Sequence, residues 1–266
     1  MKQIFAGVLC ILPALPVLAE SAPQSDNDNT TLTPQVVNGR GQLIGEASSA
    51  SEGYVSQQEI ALRPLLRTGE VLEMVPGMVV TQHSGTGKAN QYFLRGFNLD
   101  HGTDFATFVD GMPVNMRTHG HGQGYTDLNF VIPETLGSIS YQKGSYYADV
   151  GDFSGAGSAS LNTASHLDHG LLQLTAGQDN YYRALDMDSV EAAGGEWLYA
   201  VERNTYDGPW RDIDEDLDKT SLLLKHSRQL AGGDWSVTFM GYDNSWNSAD
   251  QIPERAVKSG LIDELG

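Results

Sequence analysis

The chain has 266 residues, 16 Lys and Arg against 34 Asp and Glu, and a formal charge of −18 at pH 7. That balance excludes a phosphate-backbone binder, which needs a basic face. The single cysteine, Cys10, rules out a disulfide framework, and 266 residues suffice for one or two domains.

Residues 1–19 carry the three parts of a cleaved secretory signal: Lys2 in the charged region, an apolar run over residues 4–18, and Val17-Leu18-Ala19 as the small-residue cleavage site. Pro13 and Pro16 interrupt the run, which is also shorter than the roughly 20 residues a spanning helix requires. Cys10 leaves with this segment, so the exported chain has no thiol for a metal or a nucleophile. Residues 20–55 form a flexible leader, polar over 20–33, where apolar content is too low to offset the ordering entropy.

Residues 59–75 predict two short helical pieces, one opened by Pro64 and one over residues 70–75 that Pro76 ends. Val71, Leu72 and Val75 would be the buried stripe of the second. From Gly77 to Gly157 fourteen glycines cut the chain into short apolar runs at 78–80, 92–94, 105–109 and 138–141. A glycine inside a helix costs about 1 kcal/mol, so this stretch predicts small strands and turns. Asp110-Gly111 followed by Met112-Pro113 marks a tight turn after a strand.

After residue 170 the texture changes. Residues 170–177, 181–190, 196–204, 219–227 and 234–243 are segments of about ten residues or slightly fewer. Trp197, Tyr199 and Val201 would share one face, Leu222 and Leu224 another, and Trp235, Val237 and Phe239 a third. Alternating segments of about ten residues with interfacial aromatics are the pattern of a transmembrane β-barrel, and a soluble antiparallel sheet has the same alternation. Short Gly-Gly turns alternate with a longer acidic loop over 206–218. Residues 171–266 provide about five such strands.

The order of the pieces between 56 and 163 carries a resemblance. Val75-Pro76-Gly77-Met78 is followed by Leu94-Arg95-Gly96-Phe97, then Val109-Asp110-Gly111-Met112-Pro113, Ile132-Pro133-Glu134, Lys143-Gly144 with Tyr146-Tyr147, and Gly155-Ala156-Gly157. This resembles the plug domain of TonB-dependent outer-membrane receptors, over roughly residues 56–163. Ser138-Ile139-Ser140-Tyr141 stands where the family often has Arg-Ile-Glu-Val, and residues 149–153 lengthen a turn that is commonly shorter.

The resemblance implies an α+β plug with a small mixed sheet and short helices, followed over residues 170–266 by the first antiparallel strands of an incomplete barrel. It implies a receptor fragment in the cell outer membrane, in contact with its lipid, that takes up a ferric siderophore or another metal chelate and performs no catalysis. No cofactor is required; a metal ion or an iron chelate would be the cargo. The implied periplasmic partner is the TonB energy-transducing protein, which would add the extended segment 32–37, with Val36 and Val37, to itself as a strand. Arg95 and Lys143 become candidates for charge pairs between plug and barrel wall. The alternative is a soluble periplasmic metal- or ligand-binding protein with a complete sheet after residue 170.

Histidines concentrate in the plug. His83, His101, His119 and His121, with Gln123 and Tyr125, are the candidate ligand contacts, and His119, His121 and Asp104 the candidate metal donors. Structural hydrogen bonding remains open for all of them. Residues 83–88 resemble half a phosphate loop, yet Gln82 stands at the early glycine and Ala89 at the magnesium-binding hydroxyl. Asp212, Asp214, Asp216 and Asp218 alternate as in a calcium loop, yet Leu217 and Leu223 occupy its glycine and its bidentate glutamate.

Overall fold

A computed structural model describes residues 49–82, 85–249 and 251–265. The signal segment, the candidate segment 32–37 with Val36 and Val37, and His83 lie outside these residues.

The first body is built on a five-stranded sheet. In chain order its strands are β1 (Glu52–Ser56), β5 (Phe105–Val109), β6 (Met112–Pro113), β7 (Leu136–Lys143) and β8 (Gly157–Thr163), arranged spatially β1-β7-β8-β5-β6. β5 and β8 run parallel while the other pairs are antiparallel, so the sheet is mixed as expected. β1 begins at Glu52, four residues ahead of residue 56. A three-stranded sheet of β2 (Met78–Thr81), β3 (Gln91–Leu94) and β4 (Phe97–Asn98) stands beside it. β5 and β6 are joined through Asp110 and Gly111, both left-handed at φ 46° and 78°, which is the backbone that Asp-Gly adopts in a hairpin turn.

Ser56 caps a one-turn helix, α1 (Gln57–Ala61), by accepting the Glu59 amide. A 3-10 helix follows at Thr68–Met74 and buries Val71 and Leu72, with Val75 buried just beyond it. Pro64 opens no helical turn; it lies in the link between the two. The core gathers these side chains with Leu94, Phe105, Val109, Leu136, Ile139 and Leu161.

The second body is an antiparallel meander: β9 (Leu171–Ala176), β10 (Tyr182–Ala192), β11 (Gly195–Tyr206), β12 (Leu217–Leu230) and β13 (Gly233–Ser245). It is not closed, and β9 and β13 are its edges. Tight turns at 193–194 and 231–232 close one end, and the longer connection 207–216 lies at the other. A short helix, α2 (Glu254–Lys258), follows β13.

This sheet is inside-out relative to a soluble one. Leu172, Leu174, Tyr182, Val190, Val201, Leu222, Leu224, Trp235 and Phe239 are exposed, while Arg183, Glu202, Asn204, Lys219, Ser221 and Lys225 are buried beside Leu185, Met187, Leu198 and Leu223. Water does not favour an apolar outer face of that breadth, and lipid contact requires it.

Two charged latches join the bodies. Arg183 donates to both oxygens of Glu134, which lies within the short 3-10 turn Pro133–Thr135, and also pairs with Glu202, which Lys219 meets from the other side. Asp110 accepts from Thr163 N–H (2.8 Å) and Thr238 Oγ1 (3.1 Å), with Lys225 Nζ at 3.6 Å. Between them Ile132 packs on Leu185, Met187, Leu198 and Leu223. Arg95 and Lys143 take no part in these latches. Arg95 donates to the Ala50 carbonyl, and Lys143 donates to the Pro76 carbonyl with its ammonium 5.4 Å from the Tyr141 ring centre. Both cations donate to backbone carbonyls of the first body.

Candidate functional site

Residues 85–90 cross the first body at the end where the longer connection lies. Thr86 N–H donates to Glu215 Oε2 at 2.8 Å, Trp210 Nε1 donates to Glu215 Oε1 at 2.8 Å, and the Trp246 ring occupies the space a side chain at Gly87 would need. From this segment hangs the histidine cluster.

Its backbone is set by an unusual turn. Asp100, His101 and Gly102 are all left-handed, at φ 37°, 66° and 114°. Such a backbone costs non-glycine residues about 1–3 kcal/mol each and persists only where surroundings hold it. Here the Thr126 amide donates to the His101 carbonyl at 2.8 Å, and a Cβ at Gly102 would meet Thr126 Oγ1 at 2.4 Å, so position 102 must be glycine. Asp100 N–H donates to Asn98 Oδ1.

The turn drives His101 inward until it is fully buried. Its Nδ1 stands 2.7 Å from the Ala89 carbonyl and 3.1 Å from that of Asn90. Two carbonyls can only accept, so Nδ1 carries a proton and donates it to them. Tyr125 holds the same segment, its hydroxyl oxygen accepting the Ala89 amide at 3.0 Å.

Two glycine-flanked histidines close over this base. His121 meets the His101 ring edge-on, centroids 4.4 Å apart, with its Nε2 4.0 Å from Asp100 Oδ1. His119 stacks flat on Tyr125 at 3.9 Å and 13°, and its Nδ1 accepts the His121 amide at 3.1 Å. Partial desolvation, then the positive charges of His121 and Lys88, hold the His119 pKa below the ordinary imidazole value.

Donor atoms of Asp100, His101 and His121 lie within 4.8 Å of one another, with Asp100 and His121 exposed and His101 buried. Neither Asp104 nor His119 belongs to this group. Asp104, left-handed at φ 61°, accepts the Ala156 amide through its carbonyl beside Gly155, at the junction of β5 and β8. Gln123 is exposed and its carbonyl accepts from Thr103 Oγ1. Asp100 is absent from the donors the sequence suggests; its usable signal is Asn98, whose side chain can fold back two residues on.

Beneath the cluster, Asp127 accepts the Asn129 amide at 2.8 Å. Burial pushes its carboxyl up to about 6, against the counter-effects of that hydrogen bond and of Lys219. Burial, and after it the Asp127 charge, also raises the Tyr92 phenol.

Residues 45–158 match the family model described as TonB-dependent Receptor Plug Domain. Among solved structures the fold is similar to the copper transporter OprC, at 14% identity over 77% of this chain and 32% of that one with a TM-score of 0.59. It is similar to the pyoverdine outer membrane receptor FpvA from Pseudomonas aeruginosa PAO1, at 18% identity over 77% and 28% with a TM-score of 0.55. It is also similar to the siderophore receptor PirA from Acinetobacter baumannii, at 16% identity over 72% and 32% with a TM-score of 0.50. The chain thus matches 28% to 32% of the length of these three proteins.

Proposed function

We propose that this chain, which carries the TonB-dependent receptor plug at residues 45–158, works in energised uptake of a scarce metal across the outer membrane. The carrying observation is the inside-out sheet, apolar outward and charged inward, latched onto the plug by Glu134–Arg183. A plug seated on the inner face of a membrane-facing wall is a gate, and its work is binding and release rather than bond-making.

The cargo would be a ferric siderophore or another metal chelate. This reading is supported by the likeness to a copper transporter and to siderophore and pyoverdine receptors and by the imidazole-rich surface near the longer connection 207–216. The energiser would be the periplasmic TonB protein, which needs only a free extended backbone to add a strand. Val36 and Val37 lie in the segment we assign to it.

The test is capture of the full chain, exported and solubilised in detergent, by the periplasmic domain of TonB. The intact chain should be retained, and Val36→Pro with Val37→Pro should release it by removing two backbone donors. Absence of retention for the intact chain would overturn the energised-uptake reading.

A further inference from the structure

We propose that Asp100, His101 and His121 form a capture site that ligates a borderline divalent transition-metal ion directly, with Cu²⁺ the tightest. The inference rests on the uptake reading and narrows its cargo from a closed chelate to an ion with exchangeable ligands.

The donor set is two imidazoles and a carboxylate, which suits copper, nickel and zinc, and the general affinity order places Cu²⁺ first. Hard cations such as Mg²⁺ and Ca²⁺ want more oxygens than one carboxylate supplies. The arrangement around His101 is that of a metal-binding histidine: one ring nitrogen donates to backbone carbonyls, which orients the ring. Burial of this ring and the locked turn at 100–102 make it the fixed ligand.

The other two donors are the movable ones. In a tetrahedral site with bonds near 2.1 Å, donors stand about 3.4 Å apart. The present spread is at most 4.8 Å, and the two donors that must close it, Asp100 and His121, are the exposed ones. Glycines at 120 and 122 flank His121 and leave it room to turn; a Cβ at Gly120 would meet nothing, and one at Gly122 would only approach Asp100 Oδ2 at 3.8 Å. Three protein donors leave a coordination position open, which is the pattern of an exchanging site rather than a structural one. His119 is excluded from the set: its Nδ1 already accepts the His121 amide and its ring is stacked on Tyr125.

The experiment titrates the full chain in detergent with Cu²⁺ and with Zn²⁺, read by calorimetry and, for copper, by the nitrogen hyperfine pattern of its electron spin resonance. We expect one saturable site with two imidazole nitrogens. His121→Ala and Asp100→Asn, both at exposed positions, should each weaken Cu²⁺ by at least about tenfold, and His166→Ala, an exposed histidine outside the cluster that pairs with Glu196, should bind as the parent does. Unaltered affinity in both His121→Ala and Asp100→Asn would overturn the site. So would binding of a coordinatively saturated ferric chelate that His121→Ala leaves unchanged, or no uptake of either metal by a chain that TonB still retains; in these two cases the uptake reading survives alone.

Discussion

Arg183 holds Glu134 with both arms of its guanidinium, at 2.7 and 2.8 Å, and so ties the plug to β10. The same cation neutralises Glu202, which is almost wholly buried and shared with Lys219. Breaking a buried pair from one side leaves a charge without compensation, at a cost of about 3–5 kcal/mol. Arg183→Met should therefore lower the unfolding free energy of the full chain in detergent by that order, read by urea titration. Glu134→Gln should cost less, because an amide oxygen still accepts from the guanidinium. Equal stability of Arg183→Met and the parent would show that the latch adds nothing.

Asp127 gives the plug a pH dependence of unusual sign. Its carboxyl titrates at about 6 when folded and at the ordinary 3.8 when unfolded. The folded state holds the proton more tightly, so the stabilisation is complete below 3.8 and is lost as pH rises through about 6. Most carboxylates act in the opposite direction. Asp127→Asn should flatten the fall in stability between pH 4 and 6, measured as unfolding midpoints in a pH series, and unchanged curvature would refute the assignment.

Glu215 fastens the plug segment 85–90 to the connection 207–216. A charged acceptor is worth about 1.5–3 kcal/mol to its donor. Glu215→Ala should speed exchange of the Thr86 amide proton by about tenfold or more, followed by hydrogen exchange with mass spectrometry, while the Lys225 end of the sheet keeps its protection. Glu215→Gln should retain most of the parent behaviour.

The small-strand texture, the Asp-Gly hairpin, the buried Val71, Leu72 and Val75, and five alternating strands after residue 170 were legible in the sequence. Periodicity and turn chemistry are local, and in these stretches nothing tertiary opposes them. The strands run longer than their alternation indicated, β12 reaching Leu217–Leu230, because backbone pairing with β13 continues past the apolar residues. The charge latches were not legible. Glu134, Arg183 and Glu202 are far apart in the chain, and only the inward parity of Arg183 with Leu185 and Met187 hinted at burial. Nor were the carbonyl partners of Arg95 and Lys143 legible, since Ala50 and Pro76 lie 45 and 67 residues away in the chain. At the histidine cluster, composition located the region, but membership turned on the left-handed Asp100 and His101, a backbone state that residue identity does not announce.

β1 lies at the margin of its sheet and is held to β7 by five successive residue pairs, Glu52–Gln142 through Ser56–Ser138. A mechanical load arriving along the chain from ahead of residue 49 meets this strand before any other part of the plug. A marginal strand can be peeled pair by pair, whereas an interior strand such as β8 would have to shear along two neighbours at once. β1 is thus the strand of this sheet nearest the chain's start, and losing it breaks pairs with one neighbour only.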